Sequence, residues 1–201
     1  MREMELKKEN TEAELKYLKG QINPHFLFNT LNNIYSLARK NSEQTADAVM
    51  KLSKLMRFML YEASHKDILL LQEIKLIEDY IELEKLRYSN RLTIQFETDI
   101  DKTEQRIAPL ILIHFVENAF KHGVGESRFE SSIIIRITLQ QGVLKALIEN
   151  SVEVNQGSTE AAKIGLANIK RQLQLLYPRH QLDITQTEQF FKVALTIPLA
   201  V

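Results

Sequence analysis

Three short segments of this chain carry side chains whose types and spacing suit chemistry. The first is QINPHFLFNTLNN, residues 21–33, where His25 follows Pro24 directly and Asn29 stands one helical turn further on. A proline inside a helix deletes a hydrogen bond and crowds the preceding turn, at about 3 kcal/mol or more. Such a break beside a histidine, with Asn29 one turn later, suggests a functional site rather than a packing one. A neutral imidazole nitrogen is nucleophilic near neutral pH, so His25 can accept a phosphoryl group. The competing reading is an ordinary surface histidine among Phe26, Leu27 and Phe28.

The second segment is HFVENAFKHGV, residues 114–124. On a helix Asn118 and His122 lie four apart, as do Glu117 and Lys121, and His114 continues the Asn118 stripe. An amide oxygen and a carboxylate suit Mg²⁺, which usually arrives with nucleotide phosphates. Lys121 and His122 can then neutralise phosphate oxygens. Zinc held by His114, Glu117 and His122 is the alternative, without the HExxH order that would strengthen it. A solvated helix end is the bland one. The third segment, residues 164–168, places Gly165 and Leu166 where a helix opens after a polar loop. A glycine there lets backbone N–H groups approach phosphate. Neither a Walker-type nor a GxGxxG loop occurs in the chain.

The elements that must position these residues fall into two halves. Residues 1–40 hold one Pro and one Gly, and Thr11, Leu15, Leu18, Ile22, His25, Asn29, Asn32 and Ser36 recur at steps of four and three. That spacing predicts a pairing helix. A turn at Asn41-Ser42 precedes a second amphipathic helix whose stripe runs from Ala46 to Leu60. The apolar surface exceeds what two helices can cover for each other, which predicts a dimeric four-helix bundle. Residues 71–88 form a third helical stretch. Strands at 92–97, 132–139, 143–149, 182–187 and 191–197, with helices at 107–122 and 164–177, make the remainder a two-layer α/β sandwich. The fold class expected is therefore α+β.

Composition narrows the rest. With 26 basic and 26 acidic residues the formal charge is zero, which gives no support to nucleic-acid binding. The absence of cysteine excludes disulfides and thiolate metal sites. No apolar run reaches a membrane span, and the charged N-terminus is no signal peptide.

Taken in order, the segments resemble the LytS-type family of sensor histidine kinases. PHFLFNTLNN looks like its phosphoacceptor motif, VENAFKHG its N box, IGLANIKRQLQLLYP its Gly box and following helix, and DYIELEKLRY the helix joining two domains. The resemblance implies three parts: a dimerisation and phosphotransfer hairpin at 1–66, a connecting helix at 67–90, and an ATP-binding domain at 91–201 with the fold shared by gyrase, MutL and heat-shock ATPases. It implies that His25 is phosphorylated from Mg-ATP within a homodimer and passes the phosphoryl group to a response regulator. Asn118 would hold Mg²⁺, Glu117 would orient or deprotonate the acceptor, and Lys121 and His122 would face the phosphates. Asn150 takes the place of the aspartate that reads the adenine amino group, and Asn29 that of a residue positioning water for phosphatase activity. The first glycine of the Gly box is replaced by Lys163, and the following arginine by Gln172. Lys163 either crowds the phosphate loop or supplies the charge missing at 172. The alternative function is a catalytically weak or inactive scaffold of the same fold; a plain ATPase is the third reading. Relatives carry membrane-spanning sensory segments upstream, so this part is expected to be cytoplasmic.

Overall fold

The computed structural model describes residues 24–88, 92–123, 131–152 and 160–199, with the side chains of residues 24, 25, 122 and 160–164 outside that description. Helix α1, Pro24–Arg39, and helix α2, Gln44–Tyr61, form a hairpin. Asn41, at φ 52°, makes the turn between them, a left-handed position that asparagine tolerates well. Ala48, Leu52 and Leu55 of α2 are buried, as is Phe26 of α1. The helical continuation expected upstream of Pro24 falls outside the described residues.

A single 3₁₀ turn at Glu62–Ser64 leads to the two-residue strand β1, Ile68–Leu69, and to helix α3, Leu70–Lys85. The Gln72 side chain accepts the Leu69 N–H at 2.9 Å, satisfying a donor at the start of α3. Strand β2, Leu92–Ile100, is followed by the two-residue strand β3, Arg106–Ile107, which pairs antiparallel with β1. Arg106 also pairs with Asp67, closing the same corner.

Helix α4, Ile113–Gly123, precedes the hairpin of β4, Ser131–Gln140, and β5, Val143–Ser151. Gln141 and Gly142 both take positive φ, the turn whose twist matches paired strands. Helix α5, Glu160–Leu176, then β6, Gln181–Gln186, and β7, Phe190–Pro198, complete the chain. The five long strands form one sheet in the order β2-β4-β5-β7-β6, with β2 parallel to β4 and the other pairs antiparallel.

Period-two alternation in β4 sends Ile133, Ile135, Ile137 and Leu139 to the covered face, while Arg136 and Gln140 face water. Phe115, Ala119 and Phe120 of α4 and Ile169 and Leu173 of α5 join the same core. The result is α+β, helices first and then a mixed five-stranded sheet in a two-layer arrangement. Among the described residues no helix is long and apolar enough to cross a membrane.

Helix α3 touches both halves. Its Glu82 pairs with Lys51 of α2, and its inner face packs against α4. On the hairpin's other side the apolar residues Phe28, Tyr35, Met50 and Leu60 stay exposed. Asn32 and Ser36, from the expected pairing seam of α1, are exposed as well. That seam is therefore not what α1 presents to α2 within this chain.

Candidate functional site

His25 lies in the first turn of α1, and its neighbour Phe26 shows how that turn is held. Phe26 is 4% exposed, and its ring stacks on Tyr80 of α3 at 4.7 Å between centroids and 28° between planes. Tyr80 in turn meets Phe120 of α4 edge-on, at 5.5 Å and 81°. Three rings thus join α1, α3 and the VENAFKHG helix, both pairs in favourable aromatic geometry. The Thr30 hydroxyl donates to the Phe26 carbonyl at 2.9 Å one turn below, and Asn29 is half-buried beside it. Phe26 reads from sequence as one of two phenylalanines after His25; Phe28, two residues on, is exposed.

Helix α4 begins later than periodicity predicts. The helix expected over 107–122 starts at Ile113, because Arg106–Ile107 is strand and Leu110 takes φ 65°. Pro109 therefore sits before the first helical turn rather than in it. The cause is Glu73, fully buried on α3. Its carboxylate accepts the N–H groups of Leu110 at 2.8 Å, Leu112 at 3.0 Å and Ile113 at 3.2 Å. A helix start leaves such donors without partners, and an anion there is favoured by the helix dipole. Burial pushes the Glu73 carboxyl up from its ordinary range, while the three N–H donors and the charge of His114 pull against that. Glu73 carried no signal in the sequence beyond being acidic in an apolar stretch.

On α4 the sequence-predicted residues separate. His114 turns its Nδ1 to the Glu117 carboxylate, at 3.2 Å. Burial alone would lower the His114 pKa, but the hydrogen bond and charge of Glu117, joined by the charge of Glu73, raise it overall. The contribution of protonated His114 is fully present below about pH 6.5 and is lost as pH rises through the raised folded value. Chemical denaturation should thus show the stability gap between the wild type and His114→Gln widest in mild acid. It should narrow above neutrality, and a gap constant across that range would refute the pairing.

Glu117 also lies near enough to Tyr80 and Glu84 for its charge to help raise both their pKa values, after burial. Glu84 itself is held by Arg87, at 2.9 and 2.7 Å to its two oxygens. Asn118 is half-buried and Lys121 exposed. Among the described residues no three His, Asp or Glu side chains converge as a metal-holding group. A single amide oxygen such as that of Asn118 suits an octahedral Mg²⁺ that keeps waters and phosphate oxygens as its other ligands.

Asn150, at the end of β5, is 1% exposed. Its Nδ2 donates to the Ser151 carbonyl at 2.9 Å, while its Oδ1 has no hydrogen-bond partner among the described residues. A buried acceptor without a donor is costly unless something supplies one. An adenine amino group is such a donor, so this residue fits the base of ATP. Gly165 has the complementary property that a Cβ there would meet nothing within 4 Å.

Gly165 does not open its helix, however. Helix α5 starts at Glu160, so the unpaired N–H groups of its first turn belong to residues 160–163, and Gly165 is in the second turn. Lys163 has helical backbone, which removes the reason to expect strain at a lost glycine. Gln172 faces inward, 1% exposed, with its Nε2 lacking a partner among the described residues. An arginine introduced there would bury a guanidinium.

A hairpin of helices leading into a mixed sheet with helices on one face is also the architecture of a histidine kinase domain from Erythrobacter litoralis. That blue-light activated kinase superposes with a TM-score of 0.51 at 14% identity, over 94% of this chain and 95% of that domain, a likeness of fold alone. The histidine kinase family model matches residues 13–92. The sensor protein LytS of Staphylococcus saprophyticus is 30% identical over 93% of the chain and 34% of its own length. The sensor histidine kinase BtsS of Escherichia coli K12 is 32% identical over 81% of the chain and 29% of its own length. The chain belongs to the sensor histidine kinase family, with LytS-type sensors among its relatives. It spans about a third of the length of the curated relatives it matches.

Proposed function

We propose that this chain is the kinase core of a sensor histidine kinase, which phosphorylates its own His25 from Mg-ATP and passes the phosphoryl group to an aspartate of a response regulator. The observation that carries the reading is the ring contact from Phe26 through Tyr80 to Phe120. It ties the first turn of α1, which carries His25, to the VENAFKHG helix, which carries Glu117. Phosphoryl transfer depends chiefly on positioning and charge neutralisation, and the ring contact bears on the first of these.

Bound Mg-ATP would supply the electrophilic γ-phosphorus and ADP as leaving group. Asn150 holds the base, Asn118 the metal, and Lys121, His122 and Lys163 the phosphates. Glu117 orients the His25 imidazole and takes its proton as the nitrogen–phosphorus bond forms. Asn29, one turn from His25, positions water for phosphatase activity, in which water takes the phosphoryl group and inorganic phosphate leaves.

The domain plan follows the same reading, with the hairpin at 1–66, α3 connecting at 67–90 and the ATP-binding part at 91–201. The exposed Phe28, Tyr35, Met50 and Leu60 supply the apolar face of a homodimer. We place this core in the cytoplasm, tied to a membrane only by segments beyond the chain, with no nucleic-acid partner. The inactive scaffold is the second reading, favoured by Gln172, which is buried and brings no charge to the phosphates.

Incubation with γ-labelled ATP separates the two. The chain should acquire acid-labile label, and His25→Gln should lose all of it while still dimerising and binding ATP. Label persisting in that variant would move the acceptor elsewhere; a wild type that binds ATP but never labels would favour the scaffold.

A further inference from the structure

We propose that His114 is a positioning residue that holds the Glu117 carboxylate through its Nδ1–H, leaving one carboxylate oxygen for the phosphoacceptor. This rests on the kinase reading above and adds to it what fixes the group that takes the proton.

A glutamate on a helix, left to itself, spreads over several rotamers. A base in that state meets the acceptor in productive geometry only part of the time. Helical spacing offers Glu117 two partners, His114 three residues before it and Lys121 four residues after. The fold selects the first. Glu117 Oε2 lies 3.2 Å from His114 Nδ1, and no ion pair joins Glu117 to Lys121 among the described residues.

An exposed pair at this spacing would hold neither side chain firmly. This one is largely out of water, its two side chains 16% and 14% exposed. Breaking it would leave a shielded polar group without a partner, so the carboxylate stays where the ring puts it. The imidazole also presents its donor on a rigid ring, whereas the exposed Lys121 would offer a mobile point charge.

The contact has a direction. An ionised carboxylate only accepts, so Nδ1 carries the proton in the neutral ring as in the charged one. Oε2 is thereby occupied, and Oε1 has no hydrogen-bond partner among the described residues. Oε1 is then the oxygen that takes the His25 proton as the nitrogen–phosphorus bond forms and ADP departs.

Labelling of the whole chain at saturating Mg-ATP, with affinity measured separately by calorimetry, tests the role. His114→Leu should lose about tenfold or more in labelling rate per folded molecule, while ATP affinity changes by less than about threefold. His114→Asn puts an amide N–H close to the place of Nδ1 and should recover most of the rate. In Glu117→Gln protein, His114→Leu should slow labelling no further, because the carboxylate it positions is already gone. A wild-type rate in His114→Leu, an Asn variant as slow as the Leu one, or a further loss in the Glu117→Gln protein would overturn the role.

The hold itself is read on ligand-free protein, by nitrogen NMR of the His114 ring above its folded pKa. The proton should sit on Nδ1, and a neutral ring protonated on Nε2 instead would overturn the proposal. Should the wild type never take label, the kinase reading fails, and the hold of His114 on Glu117 is decided by that tautomer alone.

Discussion

Glu73→Ala is expected to destabilise the fold by about 3 kcal/mol or more, because it leaves buried N–H groups without an acceptor. The three donors, on Leu110, Leu112 and Ile113, have their carboxylate partner only because α3 crosses the start of α4. Water cannot replace it, since all three residues are buried. Glu73→Gln should fall between the variants, with one oxygen retained and an amide nitrogen turned towards a donor. Leu110 adds to the effect, since its positive φ is tolerated only while its N–H is held. Urea denaturation gives the measurement. A midpoint for Glu73→Ala equivalent to less than about 1 kcal/mol of loss would mean that the capping contributes little. Because α4 carries Glu117, Asn118 and Lys121, the same variant should also weaken Mg-ATP binding.

Tyr80→Leu should slow labelling of His25 on the order of 100-fold while leaving ATP affinity nearly intact, the loss expected when reacting groups are misplaced by about an ångström. Tyr80 is the middle ring of the three, buried, and meets α4 at the ring of Phe120. Removing it unseats Phe26 and with it the first turn of α1. Tyr80→Phe keeps both ring contacts and loses only the hydroxyl, which bonds Glu84. Arg87 already satisfies both Glu84 oxygens, so the Phe variant should label at close to the wild-type rate. A purely structural role would instead lower stability in both variants and leave the labelling rate per folded molecule unchanged. Tyr80→Leu labelling at the wild-type rate would remove the rings from the mechanism.

What could be read from the chain directly was whatever repeats along it. The alternation in 132–139 and 143–149, with Gln141-Gly142 between, is the β4–β5 hairpin, because a pleat sends every second side chain to one face. The second hairpin helix showed itself by an apolar stripe from Ala46 to Leu60, of which Met50 and Leu60 stay exposed. The motif segments 21–33, 114–124 and 164–168 stand out in the sequence by the spacing of their polar side chains and glycine.

Contacts between residues far apart left no such trace. The two-residue strands β1 and β3 are too short for any period, and they pair only because Ile68 and Ile107 are brought together by the packing of α3 on α4. The start of α4 is set by a carboxylate 37 positions before Leu110, against the run of apolar residues that favours an earlier start. Phe26 and Phe28 are the same residue type two positions apart, and only the place of Tyr80 decides which is buried. Asn150 and Gly123 show the same division. The sequence supplies an amide and a residue without a side chain, whereas the Ser151 carbonyl and the end of α4 decide how that amide is seated. Periodicity is a local property of the backbone, and it shows which face of an element is apolar. Which partner covers that face, and which polar atom it orients, depends on the meeting of elements distant in the chain, which the tertiary structure alone decides.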